Sequence, residues 1–204
     1  QIEAVAHSPS QSEGREWRQR FGTASGRGPE RRWGGTKSRE VRGGQATGCD
    51  AKAASVTPAL RRLGLEVAEG HAADHVADAS AVVATSAVPP RHPELEAARK
   101  RGIPVLRRGA ALGALVNAGR VVAVAGTHGK TTTTGMIATV LAEAGLDPTA
   151  FVGGRMPGWE GGLRAGGKLF VVEADEYDRS FLALRPELAV VTTIEPDHME
   201  IYGE

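Results

Sequence analysis

The stretch that decides the fold runs from Val121 to Thr132 and reads VVAVAGTHGKTT. Its first five residues form an unbroken apolar run, which is typical of a strand buried on both faces of a parallel sheet. The residues after the glycine loop predict a helix from about Thr131 to Ala144 that ends at Gly145. A strand, a glycine loop and a helix in this order favour phosphate binding, because loop N–H groups and the helix N-terminus face an anion.

The loop contains the residue types that bind nucleotide phosphates. Lys130 would supply a positive charge for the β- and γ-phosphates of ATP, and the Thr131 hydroxyl would ligate Mg²⁺. The spacing departs from the usual motif, since Val124 stands where the first glycine is usual. The alternative is a glycine-rich turn without a ligand, which the strand and helix on either side disfavour. The predicted ATP-binding residues are Gly126, Thr127, His128, Gly129, Lys130, Thr131 and Thr132.

Composition excludes several classes of protein. Hydrophobic residues make up 41% of the 204 and aromatic ones only 4%, so the core is expected to be aliphatic, as in a parallel α/β sheet. A net charge of +1 gives no general argument for nucleic acid or an anionic membrane as a partner. The start of the chain shows no signal-peptide pattern, and the single cysteine, Cys49, is compatible with a reducing compartment. We therefore expect a cytoplasmic protein.

Residues 1–47 differ from the rest of the chain in composition and in the pattern of apolar residues. They contain nine Lys/Arg against five Asp/Glu, and neither an apolar strand nor a helical stripe is predicted in them. One hypothesis is a disordered basic tail, which such a composition favours. The other is that this segment comes from a frameshifted reading, with the correct frame regained near Gly48. The upstream coding DNA tests the second hypothesis.

From Gly48 onwards strands alternate with helices, which predicts an α/β fold. An acidic segment follows the predicted strand 168–172 and reads Glu173-Ala174-Asp175-Glu176. A second polar pair, Asp197-His198, comes after the predicted strand 188–192. Because ligands bind beyond the carboxyl ends of parallel strands, we expect both groups to lie near the glycine loop. Glu173 is the natural oxygen ligand for Mg²⁺. A solvated acidic loop and a structural histidine are the alternatives, since Mg²⁺ rarely takes an imidazole ligand.

Three motifs resemble the Mur ligase family: GTHGKTTTT (126–134), EADEYDRSF (173–181) and TIEPDHM (193–199). The resemblance covers about Gly48 to the end, and it implies ATP-dependent joining of L-alanine to UDP-N-acetylmuramate through an acyl phosphate. It also implies catalytic roles for Lys130, Glu173 and His198, with Thr131, Glu173 and His198 as magnesium ligands. Residues that it places against the uridine nucleotide are Asp50, His71 and Ser86.

The same resemblance implies a domain organisation. An incomplete Rossmann-like N-terminal domain is expected at 48–117, followed at 118–204 by a truncated P-loop α/β central ligase domain, with the C-terminal domain absent. We therefore expect no ligase activity from the 204 residues alone. Thr193 is a departure, because the family commonly has Asn before Ile-Glu. No oligomeric state is predicted.

Two other functions remain open at this point. Glu-Tyr-Asp at 176–178 also resembles the ligase that attaches a whole tripeptide to the same sugar nucleotide, although Arg-Ser-Phe-Leu (179–182) favours the L-alanine enzyme. A regulatory P-loop nucleotide-binding protein that performs no ligation is the second alternative. Such a protein would act on its nucleotide independently of the UDP-sugar, and Asp197-His198 would have no assigned role in it.

Overall fold

The computed structural model describes residues 3–7, 45–51, 61, 65–159 and 161–196. The contacts divide the chain into two compact units, and the main division falls between Arg108 and Gly109. None of the described helices is long and apolar enough to cross a membrane.

The first unit is built on a five-stranded sheet with the order β3-β2-β1-β4-β5. Strands β2 and β3 are parallel, as are β4 and β5, and β1 pairs antiparallel with both β2 and β4. Its elements are β1 (Glu3–His7), β2 (Gln45–Asp50), β3 (Glu66–Glu69), β4 (Ala79–Ala84), α1 (Pro93–Lys100) and β5 (Val105–Arg107).

Strand β1 corrects the prediction that residues 1–47 contain no strand. Its five residues are too short and too mixed to appear as an apolar run, with Glu3 and His7 at its ends. Backbone pairing on both edges stabilises it instead, from Glu3 opposite Cys49 to Ala4 opposite Val83. Residues 8–44 lie outside the described part of the chain, so the hypotheses of disorder and of a frameshift remain predictions.

Helix α1 packs on the first sheet through small and branched apolar side chains. Val82 and Ala84 of β4 form a buried cluster with Leu95 and Ala98 of the helix. Pro93 opens the helix, where its missing N–H costs nothing, and basic Arg99 and Lys100 occupy the last turn, which suits the helix dipole.

The second unit has a five-stranded sheet with the order β10-β6-β9-β7-β8. Strands β10, β6, β9 and β7 are parallel, and β8 pairs antiparallel with β7. Its elements are α2 (Arg108–Val116, which begins at the last residue of the first unit), β6 (Arg120–Ala125), α3 (Lys130–Glu143), β7 (Thr149–Phe151), β8 (Leu163–Arg164), β9 (Leu169–Glu173), a 3-10 helix (Tyr177–Ala183) and β10 (Leu188–Val191).

Strand β6 is covered on both faces, which explains its unbroken apolar sequence. Val121 and Ala123 belong to a buried cluster with Val116, Phe170 and Val172. A second cluster, on Ala138, Ala150 and Val171, is packed by the partly buried Val122, Ile137 and Leu141. Since β10 and β9 flank β6 in parallel, the carboxyl ends of all three strands lie side by side, which confirms that part of the prediction.

Candidate active site

The glycine loop follows β6 directly, and its backbone requires glycine at two positions. Gly129, with φ 84°, is the N-cap of α3, and Gly126 has φ 128°. A Cβ atom on Gly126 would lie 2.2 Å from the Thr192 Oγ1 atom, so the loop can pass there only without a side chain. This geometry presents the first-turn N–H groups of α3, which have no partner within the helix, at the end of the sheet.

The segment after β10 fixes the conformation of the loop. Thr127 N donates to Thr193 O at 2.9 Å, and His128 N donates to the Thr193 hydroxyl at 3.0 Å. The Thr192 hydroxyl donates to His128 O at 2.5 Å. The sequence interpretation assigned no role to Thr192 and noted Thr193 only as a departure from the family. Two adjacent hydroxyls at a strand end are the sequence signal that could have indicated this role.

Lys130 is held at the centre of the site. Its ammonium donates to Gly126 O at 2.6 Å, to Thr127 O at 3.2 Å and to Glu176 Oε1 at 2.7 Å. Only 11% of the Lys130 side chain and 23% of that of Glu176 are exposed. Glu176 therefore positions the lysine, a role that the sequence interpretation missed because 46 residues separate the partners.

Thr131 and Glu173 form the oxygen-rich part of the site. The Thr131 hydroxyl lies 3.0 and 3.2 Å from the two Glu173 carboxylate oxygens, and Gly153 N donates to Glu173 Oε2 at 2.7 Å. A hydroxyl and a carboxylate in contact, beside the glycine loop, have the donor chemistry that Mg²⁺ prefers. The structure thus brings together these two candidate ligands. Gly153 is a further residue that the sequence did not indicate.

Two other predicted site residues of the second unit, His128 and Thr132, are exposed. His128 is exposed, with its Nε2 atom 3.9 Å from Glu195 Oε2, and Thr132 lies exposed in the first turn of α3. Asp197 and His198 lie outside the described residues, so the roles of His198 remain predictions.

A cavity of about 400 Å³ adjoins the loop. Phe181 and Ile194 give it apolar walls, while Thr127 and Glu176 add polar groups. A cleft of this kind can hold an organic group that is joined to a phosphate at the loop.

The predicted uridine-nucleotide residues all belong to the first unit. Asp50 is buried at the end of β2, His71 is half-buried after β3, and Ser86 is exposed after β4. His71 lies against His92, whose pKa is lowered by burial and then by His71, while Glu94 opposes the shift. Contact of Asp50, His71 and Ser86 with a nucleotide remains a prediction.

Two consecutive family models match the chain over most of its length. Residues 38–120 match the Mur ligase family catalytic domain, and residues 124–204 match the Mur ligase middle domain. The chain belongs to the Mur ligase family. The glycine loop, Lys130, Thr131 and Glu173 all lie in the match to the middle domain.

Two curated relatives of this Mur ligase chain carry the same name. The UDP-N-acetylmuramate–L-alanine ligase of Renibacterium salmoninarum is 53% identical over 165 residues, which are 80% of this chain and 35% of that protein. The enzyme of the same name from Bordetella avium is 50% identical over 158 residues, covering 77% of this chain and 34% of its own length. The chain thus spans about a third of the length of the curated relatives it matches.

Solved structures of two kinds of ligase resemble it. The UDP-N-acetylmuramate–alanine ligase of Thermotoga maritima superposes with a TM-score of 0.73 at 34% identity, over 78% of this chain and 37% of that one. A UDP-N-acetylmuramate:L-alanyl-γ-D-glutamyl-meso-diaminopimelate ligase from Neisseria meningitides gives 0.69 at 32% identity, over 78% and 55%. Both likenesses agree with the α/β fold class.

Proposed function

We propose that this chain provides the ATP-binding and sugar-nucleotide-binding parts of a ligase that joins L-alanine to UDP-N-acetylmuramate. The observation that carries the proposal is a pair of contacts in a Mur ligase middle domain, where the loop after β6 meets the end of the adjoining strand β9: Lys130 binds Glu176, and the next residue, Thr131, contacts Glu173. Relatives that are 53% and 50% identical bear the name of this activity, which supports the choice of substrates.

The reaction requires activation because a free carboxylate is a poor electrophile. Transfer of the γ-phosphoryl group of ATP to the UDP-N-acetylmuramate carboxylate gives an acyl phosphate and ADP; the L-alanine amine then displaces phosphate as the amide forms. In phosphoryl transfer the protein contributes mainly positioning and charge neutralisation. Lys130 would exchange the loop carbonyls and Glu176 for phosphate oxygens, while N–H groups in the first turn of α3 orient the phosphates.

Thr131 and Glu173 are the described residues that would hold Mg²⁺, with His198 as a predicted further ligand. The ion, when bound, would neutralise charge on the phosphate oxygens. Gly153 N fixes the Glu173 carboxylate in the orientation that contacts Thr131. Because the proposed substrates are water-soluble, we place the reaction in the cytoplasm, with neither nucleic acid nor a membrane as a partner.

Nucleotide binding is tested on the 204-residue chain itself. We expect a fluorescent non-hydrolysable ATP analogue to bind in the presence of Mg²⁺ and more weakly with EDTA. Lys130→Ala should weaken binding at least about tenfold, since it removes the charge facing the phosphates. Lys168→Ala, at an exposed position just before β9, is the matched control and should bind like the wild type. Equal binding by both variants would overturn the assigned role of Lys130.

Ligation is tested in a chimera, in which the matched residues of this chain replace their counterparts in the Renibacterium salmoninarum protein. We expect phosphate release that requires ATP, L-alanine and UDP-N-acetylmuramate together. Lys130→Ala in the chimera should lower kcat by about 100-fold or more, the usual cost of losing one electrostatic group in a transition state. ATP hydrolysis at the same rate with and without UDP-N-acetylmuramate would instead support a regulatory nucleotide-binding protein.

The tripeptide-attaching ligase is the second candidate, favoured by the similarity to the Neisseria meningitides structure. The two candidates share the sugar nucleotide and differ in the acceptor amine. Comparing kcat/KM for L-alanine and for the tripeptide, in the complete ligase that contains this sequence, distinguishes them. Preference for the tripeptide would overturn the L-alanine assignment while leaving the nucleotide site unchanged.

A further inference from the structure

A second cluster of chemically reactive side chains lies in the first unit, apart from the residues of the ATP site. It combines Cys49 of β2, His71 after β3 and Glu94 in the first turn of α1. One sulfur, one ring nitrogen and one carboxylate oxygen from these residues lie within 4.8 Å of one another. Cys49 and Glu94 are buried and His71 is half-buried, so the cluster is largely shielded from water.

The Glu94 carboxylate is the centre of this cluster. Its side chain is fully buried, and its Oε2 atom accepts a hydrogen bond from Cys49 Sγ at 3.0 Å. The other oxygen, Oε1, lies 2.7 Å from His75 Nδ1 and accepts from Ala72 N at 3.2 Å. These contacts on Oε1 hold the carboxylate plane and aim Oε2 at the sulfur.

Two buried ring nitrogens face the same oxygen. His71 Nδ1 lies 3.7 Å and His92 Nδ1 3.9 Å from Glu94 Oε2, and neither nitrogen has a hydrogen-bond partner among the described residues. The two rings meet edge to face with their centroids 4.5 Å apart, and His92 is only 7% exposed. A buried polar atom without a partner is unfavourable, so these nitrogens point to a ligand that accepts their lone pairs.

We propose that Cys49, His71 and Glu94 bind a divalent transition-metal ion of the zinc class, with the neighbouring His92, which lies outside that 4.8 Å group, moving closer to become the fourth ligand. Sulfur and imidazole nitrogen suit zinc and disfavour Mg²⁺ and Ca²⁺, which prefer oxygen alone. Ligand atoms around a tetrahedral zinc ion are about 3.3–3.8 Å apart, as the usual metal–ligand bond lengths require. The separations of 3.0 Å from Cys49 Sγ and 3.7 Å from His71 Nδ1 to Glu94 Oε2 are close to this range.

Metal binding would change the protonation and the hydrogen bonds in a defined way. The Cys49 thiol would release its proton to solvent and exchange its hydrogen bond to Glu94 for a bond to the metal. His75 and Ala72 N would keep their contacts with Oε1 and orient the carboxylate from outside the metal's own shell. This site is additional to the proposed ATP and Mg²⁺ site, whose candidate ligands are oxygen donors of the second unit. It gives His71 the role of a metal ligand in place of the contact with the uridine nucleotide that the resemblance implies.

The test uses the reduced, tag-free 204-residue chain, stripped of metal with a chelator. Zn²⁺ is titrated in competition with a chromophoric chelator, and Co²⁺ is titrated separately as a spectroscopic substitute. We expect a single tight Zn²⁺ site and, with Co²⁺, thiolate-to-cobalt charge-transfer absorption. Because Cys49 is the only cysteine in the chain, that absorption reports on this site alone.

Cys49→Ser should abolish the charge-transfer absorption, and Cys49→Ser and Glu94→Gln should each weaken Zn²⁺ binding at least about tenfold. Glu96→Gln, at an exposed position of the same helix, is the matched control and should bind like the wild type. Circular dichroism checks that each variant folds. If a variant of a buried residue fails to fold, the presence or absence of thiolate-to-cobalt absorption in the wild type still tests the proposal. Absence of Zn²⁺ binding, or Co²⁺ binding without sulfur absorption, would overturn the proposal, and neither result affects the ATP-analogue measurement.

Discussion

At the scale of single residues, Gly126 is the position where the loop tolerates least change. An added Cβ would lie 2.2 Å from Thr192 Oγ1 and 2.9 Å from Thr193 N. We expect Gly126→Ala to lower the free energy of unfolding by about 1–3 kcal/mol, since overpacking of this size forces the backbone to shift. It should also weaken binding of the ATP analogue. Urea denaturation and the binding titration measure the two effects.

Gly145→Ala is the control for this substitution. Gly145 also has a positive φ, 76°, but nothing lies within 4 Å of an added Cβ. Gly145→Ala should therefore lower the free energy of unfolding by only the cost of a left-handed backbone, about 1–2 kcal/mol, and leave nucleotide affinity unchanged. Equal loss of nucleotide affinity in the two variants would contradict the role given to the contact between Gly126 and Thr192.

The Lys130–Glu176 ion pair leads to a second prediction at the same scale. Because Glu176 competes with phosphate for the lysine ammonium, Glu176→Gln should tighten binding of the ATP analogue. We expect about fivefold, which corresponds to an ion pair of roughly 1 kcal/mol. Glu187→Gln is the control, since Glu187 forms its 2.9 Å pair with Arg120 at the exposed surface. Weaker binding after Glu176→Gln would instead place Glu176 in direct contact with the nucleotide or its metal.

At the scale of elements, Asn117 joins the end of α2 to the segment that leads into β10. Its side-chain amide donates to Ala183 O at 2.8 Å and accepts from Arg185 N at 2.8 Å. Asn117→Ala should cost about 1–3 kcal/mol of unfolding free energy, because the partly buried Ala183 O and the exposed Arg185 N both lose their partner. Arg120→Ala removes only an exposed ion pair and should cost less than about 1 kcal/mol. Similar urea midpoints for the two variants would argue against this role of Asn117.

At the scale of the whole molecule, strand β1 joins the two halves of the first sheet. Its residues pair with β2 on one side and β4 on the other, with Val5 opposite both Thr47 and Val82. Val5→Pro should increase hydrogen exchange in residues 45–50 and 79–84, because proline removes a ladder N–H from a central strand. Residues 121–125 and 169–173 belong to the other unit and should exchange as before.

Val5→Ala, which keeps the backbone N–H, is the matched control and should change exchange much less. Unchanged exchange in residues 45–50 and 79–84 after Val5→Pro would show that β1 does not hold this sheet together. Either result also bears on the frameshift hypothesis, because it shows whether residues 3–7 contribute to the folded unit.

The sequence by itself determined the second unit and the outline of its site. An aliphatic run before GTHGKTT predicts a buried strand, a loop and a helix from local pattern alone, and such runs also predict that the strands are parallel. The order β10-β6-β9 came only from the tertiary structure. Strand β1 was missed because five mixed residues carry no periodic signal. Only the tertiary structure showed that Glu176 contacts Lys130 and that Gly153 contacts Glu173. It also showed that Cys49, His71 and Glu94 form a cluster. Each of these contacts joins residues at least 20 positions apart, and side-chain geometry across such separations is set by packing rather than by any local pattern.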